Sequence, residues 1–266
     1  MLKYIINTIL IIALFAAQLY SANSSPYKLS TYTDTLLTGS GAVLVALSFY
    51  TKERVDSLTD DEIASLSKSD INKLDRSAAN NWSPNGDKWS NIILAPAMIS
   101  PFAFLLNDKT RDDFIVLGAM YGESLLITNG LSMIVKDMAQ RKRPFVYNPD
   151  ASYKDKKKKD AVLSFYSGHT ANAFNSAVFV GTVFSDYYPQ SKWRYAVWGT
   201  TLLAASATGY LRYYSGKHYP TDIIAGAIIG AIAGWGIPAL HRKGDENISI
   251  RMMAGKENMI AIEFYL

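Results

Sequence analysis

The sequence predicts an all-α, membrane-embedded helical bundle of about five or six apolar core helices, ending in a short β-hairpin-like tail. Three observations carry that expectation. Apolar residues make up 49% of the 266 residues and charged ones 19%. They gather into runs, several of which approach the ~20 residues a bilayer requires. After residue 243 the hydrophobic period changes from helical to alternating. A chain of this length easily encloses a core. The formal charge of +4 is mild and its basic residues cluster rather than spread, so no nucleic-acid partner is expected. The absence of cysteine excludes disulfides, thiolate metal sites and cysteine nucleophiles together.

Residues 1–22 read as a secretory signal. Lys3 supplies the positive start, 4–17 the apolar core, and Ser21-Ala22 the small-residue cleavage zone. The alternative for this stretch is an uncleaved anchor helix. Residues 36–50 are apolar but short, a marginal span. Residues 51–90 are polar and mixed in charge, and with the turn Ser83-Pro84-Asn85-Gly86 they read as a surface excursion. The next apolar run, 91–106, contains Pro96 and Pro101, which membrane helices tolerate better than soluble ones. Residues 114–135 are long enough to span, with Glu123 as a buried charge to be explained. A basic loop, 136–163, holds Pro144, Pro149 and four consecutive lysines from Lys156 to Lys159.

Three further apolar helices follow at 171–184, 195–211 and 223–240. The last carries Gly226, Gly230 and Gly234 at four-residue spacing, which lets another helix backbone approach closely. His241, beyond the end of that helix, reads as a membrane-edge residue. Residues 248–252 and 259–264 alternate around Gly255-Lys256-Glu257-Asn258, a hairpin signal. The expected organisation is therefore a signal at 1–22, a helical domain at 23–243 and a tail at 244–266.

Three segments could carry chemistry. Residues 212–222 place Arg212, His218 and Asp222 at the mouth of an apolar helix, a costly arrangement unless something anionic binds there. Lys136 precedes Arg143-Pro144 by seven residues, close to two helical turns, so both cations can face one way before Pro144 stops the helix. Taken alone, ordinary basic flanking of a membrane helix explains that pair. Residues 164–170 precede another apolar helix, where Ser167 and Gly168 can leave backbone amides for an anion. Taken alone, a serine N-cap beside a surface histidine, His169, explains that segment. Counting antiparallel helices puts all three segments on one face. Together, the cations and the amides describe a site for a phosphate-sized oxyanion. No cluster of carboxylates has metal-ligand spacing, so neither a metal nor a cofactor is expected.

The order Lys-x6-Arg-Pro, Ser-Gly-His, Arg-x5-His-x3-Asp resembles the type 2 phosphatidic acid phosphatase family, whose superfamily includes bacterial acid phosphatases and vanadium-dependent haloperoxidases. The resemblance runs from Lys136 to Asp222 and departs at Tyr166 and Leu211, where a proline and a serine are usual. It implies a metal-independent phosphatase acting on a phosphomonoester or diphosphate through a phosphohistidine. His218 would be the nucleophile, Asp222 its orienting partner and His169 the general acid and base. Lys136, Arg143, Arg212 and the amides of Ser167 and Gly168 would bind the phosphate.

The expected substrate is a membrane lipid phosphate. The expected location is the bacterial inner membrane, with the site facing the periplasm. A soluble periplasmic acid phosphatase is the alternative, and a vanadium haloperoxidase is a more distant one.

Overall fold

A computed structural model of the chain describes residues 25–244 and the backbone of 248–253 and 259–264. The expected signal at 1–22 lies outside the described residues. The long helices are numbered here α1 (Thr31–Lys52), α2 (Pro84–Ile99), α3 (Phe114–Ala139), α4 (Gly168–Tyr187), α5 (Trp193–Tyr214) and α6 (Pro220–His241). Shorter helical turns fill the connections between them. Three segments, Pro84–Leu106, Phe114–Tyr147 and Pro220–His241, are long and apolar enough to cross a membrane. At the chain's end Ile248–Met253 pairs antiparallel with Met259–Phe264, while residues 254–258 between them lie outside the described set.

Two sequence boundaries move, each for a local reason. The 51–90 stretch is not an excursion to its end, because α2 begins at Pro84. Ser83 caps it, accepting from the Gly86 amide at 3.0 Å, and Pro84 takes the first helical position, where its missing N–H costs nothing. At α3 the helix ends at Ala139, before Arg143 and Pro144 are reached. Gln140 adopts a left-handed conformation (φ 38°) and its amide closes on the Lys136 carbonyl. Lys136 and Arg143 are therefore not joined by helical periodicity. The chain leaves the helix between them and is pinned by Arg143 N–H to the Ala161 carbonyl (2.8 Å) and Phe145 N–H to the Gly216 carbonyl (2.9 Å).

His241 is also placed differently from expectation. It belongs to the last turn of α6 instead of lying beyond it, and it is buried among protein groups.

The core forms where α3, α4 and α6 meet, from Leu117, Met120, Tyr121, Phe179, Val183 and Ile237. Helix α6 divides its faces cleanly. Ile224, Ile228, Ile232 and Trp235 point outward and are exposed, while Gly226, Gly230 and Gly234 are buried against α4. A side chain on that glycine stripe would run into the main chain of α4: a methyl at 226 would lie 2.6 Å from the Ser167 carbonyl oxygen, and one at 230 would overlap the Ala171 carbonyl. The glycines thus set how closely the N-termini of α4 and α6 approach. Both N-termini carry site residues.

Gly230→Ala should therefore destabilise the protein by about 1–3 kcal/mol, the usual range for overpacking a rigid contact. A thermal melt in detergent checks this. An unchanged midpoint would mean that the two backbones separate freely.

Candidate active site

Asp222 sits in the first turn of α6 and is fully buried. Its Oδ2 accepts from Ser164 Oγ (2.5 Å) and from the Tyr219 amide (3.0 Å), and its Oδ1 accepts from Arg141 Nη1. Its backbone carbonyl takes the Ser167 amide at 3.0 Å. His218 lies one turn earlier and is buried, with Nδ1 3.6 Å from Asp222 Oδ2. Its Nε2 faces the other way, 3.1 Å from Arg143 Nη1. At 3.6 Å from the carboxylate Nδ1 makes no hydrogen bond. Because the Arg143 guanidinium can only donate, Nε2 is the accepting nitrogen and its lone pair faces the cationic side of the site.

Cations gather on that side. Arg143 is buried, donates to the Lys217 carbonyl (2.8 Å), and pairs with Asp160 Oδ1 (2.8 Å). Arg212 is buried at the end of α5 and bonds Asp87 and, at 3.2 Å, Ser90 Oγ; its Nε has no hydrogen-bond partner. Lys136 reaches the start of α4, where a side chain at Gly168 would come within 3.1 Å of its Nζ. His169 bonds Asn91 Oδ1 through Nε2 at 2.6 Å. Burial, then the charges of Arg212, His218, Lys136 and Arg143, hold its imidazole well below the usual range.

The structure thus brings together Lys136, Arg143, Gly168, His169, Arg212, His218 and Asp222, which the sequence singled out. Ser167 is a correction. Its amide is spent on Asp222 and its hydroxyl caps α4, accepting from the Thr170 amide at 3.3 Å. The amides of Gly168 and His169 precede the first intrahelical bond, Ala171 N–H to the Ser167 carbonyl, and are the ones placed for an anion.

Sequence reasoning missed a supporting layer. Arg141 bridges Asp222 and Asp75 (2.7 Å), and Asp75 also accepts from Thr221 Oγ1 at 2.7 Å. Asp75 and Asp87 come from the stretch read as an excursion, and only folding reveals that they face the site. Ser164 stands three residues before Ser167 and could have been noticed as a second hydroxyl in that segment.

Residues 117–245 match the profile of the PAP2 superfamily. That match takes in just under half of the chain. Among curated relatives, the lipid A 4'-phosphatase of Porphyromonas gingivalis is 28% identical over 152 residues, 55% of this chain and 59% of that protein. The lipid A 4'-phosphatase of Bacteroides thetaiotaomicron is 38% identical over 73 residues, 27% of this chain and 29% of that protein. The matches therefore span at most about three fifths of these relatives' lengths. Two crystal structures align with this chain. They are Aquifex aeolicus LpxE (TM-score 0.42, 23% identity, 61% of this chain and 90% of that one) and a transmembrane PAP2-type phosphatidylglycerolphosphate phosphatase from Bacillus subtilis (0.45, 19%, 78% and 94%).

Electrostatics favour a neutral ring at His218. Burial, then the charges of Arg143, Arg212 and Lys136, hold the His218 imidazole well below its usual range. Asp160 behaves in the opposite sense. Burial pushes its carboxyl up, but Arg143, Lys217 and Lys136 outweigh that and hold it at about 2.

Two outcomes follow. As pH falls below ~6.5, the unfolded chain gains a proton at residue 218 that the native state refuses, so stability is lost in that window. The melting temperature should fall more between pH 7.5 and 5.5 in the wild type than in His218→Asn; equal falls would contradict the assignment. Arg141→Ala leaves Asp75 and Asp222 buried without their shared cation. It should cost on the order of 3 kcal/mol, the low end for a broken buried pair because Arg141 is partly exposed. Denaturant titration reads this out directly.

Proposed function

We propose that this PAP2 protein is a membrane-embedded phosphatase that removes phosphate from a membrane lipid through a covalent phosphohistidine. One observation carries the reading: the lone pair of a buried, carboxylate-oriented imidazole, His218 Nε2, faces Arg143, with Lys136 and Arg212 close by.

In this reading the phosphoryl group enters between His218 and the α4 N-terminus. Arg143 leaves Nε2 for a phosphoryl oxygen, and Lys136, Arg212 and the Gly168 and His169 amides hold the remaining charge. His218 Nε2 attacks phosphorus as the P–O bond to the lipid breaks. His169, which takes up a proton from solvent once the phosphate's negative charge offsets the neighbouring cations, protonates the departing alkoxide. A water, deprotonated by His169, then attacks the phosphohistidine. Inorganic phosphate leaves and His218 returns to its neutral form. Asp222 stabilises the positive charge on the ring throughout, as the third member of a triad does. The reaction calls on no metal, because the protein's own cations meet the phosphate charge.

The outward faces of the helices favour a lipid over a soluble substrate. Trp89, Ile92, Phe102, Ile224, Ile228, Ile232 and Trp235 are exposed on segments long enough to span, as lipid contact allows and water does not. Lipid A heads the candidate substrates because the curated relatives bear its phosphatase names. We place the catalytic domain at residues 23–243 and the tail at 244–266. We place the protein in the bacterial inner membrane, with its site toward the periplasm and its N-terminal 22 residues as an export signal.

The test is phosphate release by detergent-purified protein across lipid A, phosphatidic acid, phosphatidylglycerol phosphate and undecaprenyl diphosphate. At least one lipid should be turned over, and His218→Ala should lower kcat at least about 1,000-fold, as loss of a covalent nucleophile does. Release from soluble esters alone, or an active His218→Ala, would overturn the proposal.

A further inference from the structure

At the end of the bundle away from His218, three ionisable side chains meet in the interior. Asp34 stands in the first turn of α1, Glu123 in α3 and His241 in the last turn of α6, and all are at most 1% exposed. His241 Nε2 lies 2.6 Å from Asp34 Oδ1 and 3.4 Å from Glu123 Oε2. One atom from each side chain falls within 4.8 Å of the others. The nineteen residues from Asp222 to His241 put the cluster ~28 Å along α6 from the phosphate site.

The bonding around this cluster is lopsided. His241 Nδ1 lies 2.7 Å from the Ile237 carbonyl, which can only accept, so Nδ1 carries a proton and donates it. A neutral ring then aims a lone pair from Nε2 at two carboxylates. A charged ring has a single Nε2 proton, and at 2.6 Å Asp34 receives it. Glu123 Oε2 is left buried with no hydrogen bond. Two buried carboxylates against at most one positive ring must hold either an extra proton or a bound cation, because net negative charge in the interior is costly.

We propose that Asp34, Glu123 and His241 form a binding site for a divalent transition-metal ion, for which Zn2+ is the probe. An imidazole nitrogen with two carboxylate oxygens is a donor set such ions accept. Ligand atoms around tetrahedral zinc lie ~3.4 Å apart given bond lengths of about 2.1 Å, which the His241–Glu123 pair already matches. The Asp34–His241 pair, now at proton-sharing distance, opens by ~0.8 Å as the metal displaces the shared proton to solvent.

The supporting contacts suit that role. The Ile237 carbonyl fixes the ring, the Ser30 amide holds Asp34 Oδ2 (2.6 Å), and Thr38 donates to Glu123 Oε1 (3.4 Å). The metal would neutralise the cluster and fasten α1 to α3 and α6. It touches no reacting atom, so the proposal stands apart from the phosphatase reading.

The test uses full-length protein in detergent, stripped with chelator and then titrated with Zn2+. Bound metal is measured by mass spectrometry, melting temperature by calorimetry, and first-shell ligands by X-ray absorption. The expected result is about one Zn2+ per chain, a higher melting temperature on addition, and a nitrogen–oxygen shell. Glu123→Gln, which preserves shape, should lose the metal and the shift, while His218→Ala should keep both. Folded, stripped wild type that neither takes up Zn2+ nor melts higher with it would overturn the site. So would equal uptake by Glu123→Gln and wild type, which would mark the metal as adventitious.

Discussion

The site depends on one buried carboxylate. Asp222 receives the Ser164 hydroxyl, the Tyr219 amide and the Arg141 guanidinium on its side chain, and the Ser167 amide on its carbonyl. Those contacts join the loop after α3, the loop before α4 and the entry to α6. An ionised carboxylate cannot remain in such an interior without several charge-assisted partners. The need to satisfy Asp222 therefore assembles the pocket, and the same oxygen that receives Ser164 is the one His218 Nδ1 faces. The glycine stripe of α6 makes the arrangement possible by letting α4 close on it.

Much of this was legible in the sequence because the reactive residues sit at helix ends, where chain order and spacing survive folding. Arg212, His218 and Asp222 fall within eleven consecutive residues, so their proximity is nearly local. Lys136 and Arg143 are not related by two helical turns: the helix stops at a left-handed Gln140, and hydrogen bonds to Ala161 and Gly216 fix the segment around Arg143. Ser167 looked like an anion ligand because its amide precedes a helix, but Asp222, a partner more than fifty residues on, claims it. The bridge from Asp75 through Arg141 to Asp222 was not legible at all. It spans three loops, and each residue alone looks like a solvated charge.

The two ends of the bundle handle buried charge differently. At the His218 end Arg143 and Arg212 are matched by Asp160 and Asp87, and in the proposed reaction a phosphoryl group would share those cations. At the His241 end two buried carboxylates face one imidazole, and the proposed cation would bind between them. Glu123 was conspicuous in the sequence as a charge in an apolar helix, but its partners lie on α1 and α6, so linear spacing carried no metal signal. The burial of His241 was not legible for the same reason, since burial depends on what packs against a helix end.

In the proposed reaction the phosphoryl group passes through His218. The most direct measurement is to mix the protein with a turned-over lipid phosphate, quench in alkali on the millisecond scale to preserve a P–N bond, and map the modified peptide by mass spectrometry. Phosphorylation at His218 should form and decay at rates compatible with turnover. Phosphate released at the full rate with the label on another residue, or on none, would contradict that route.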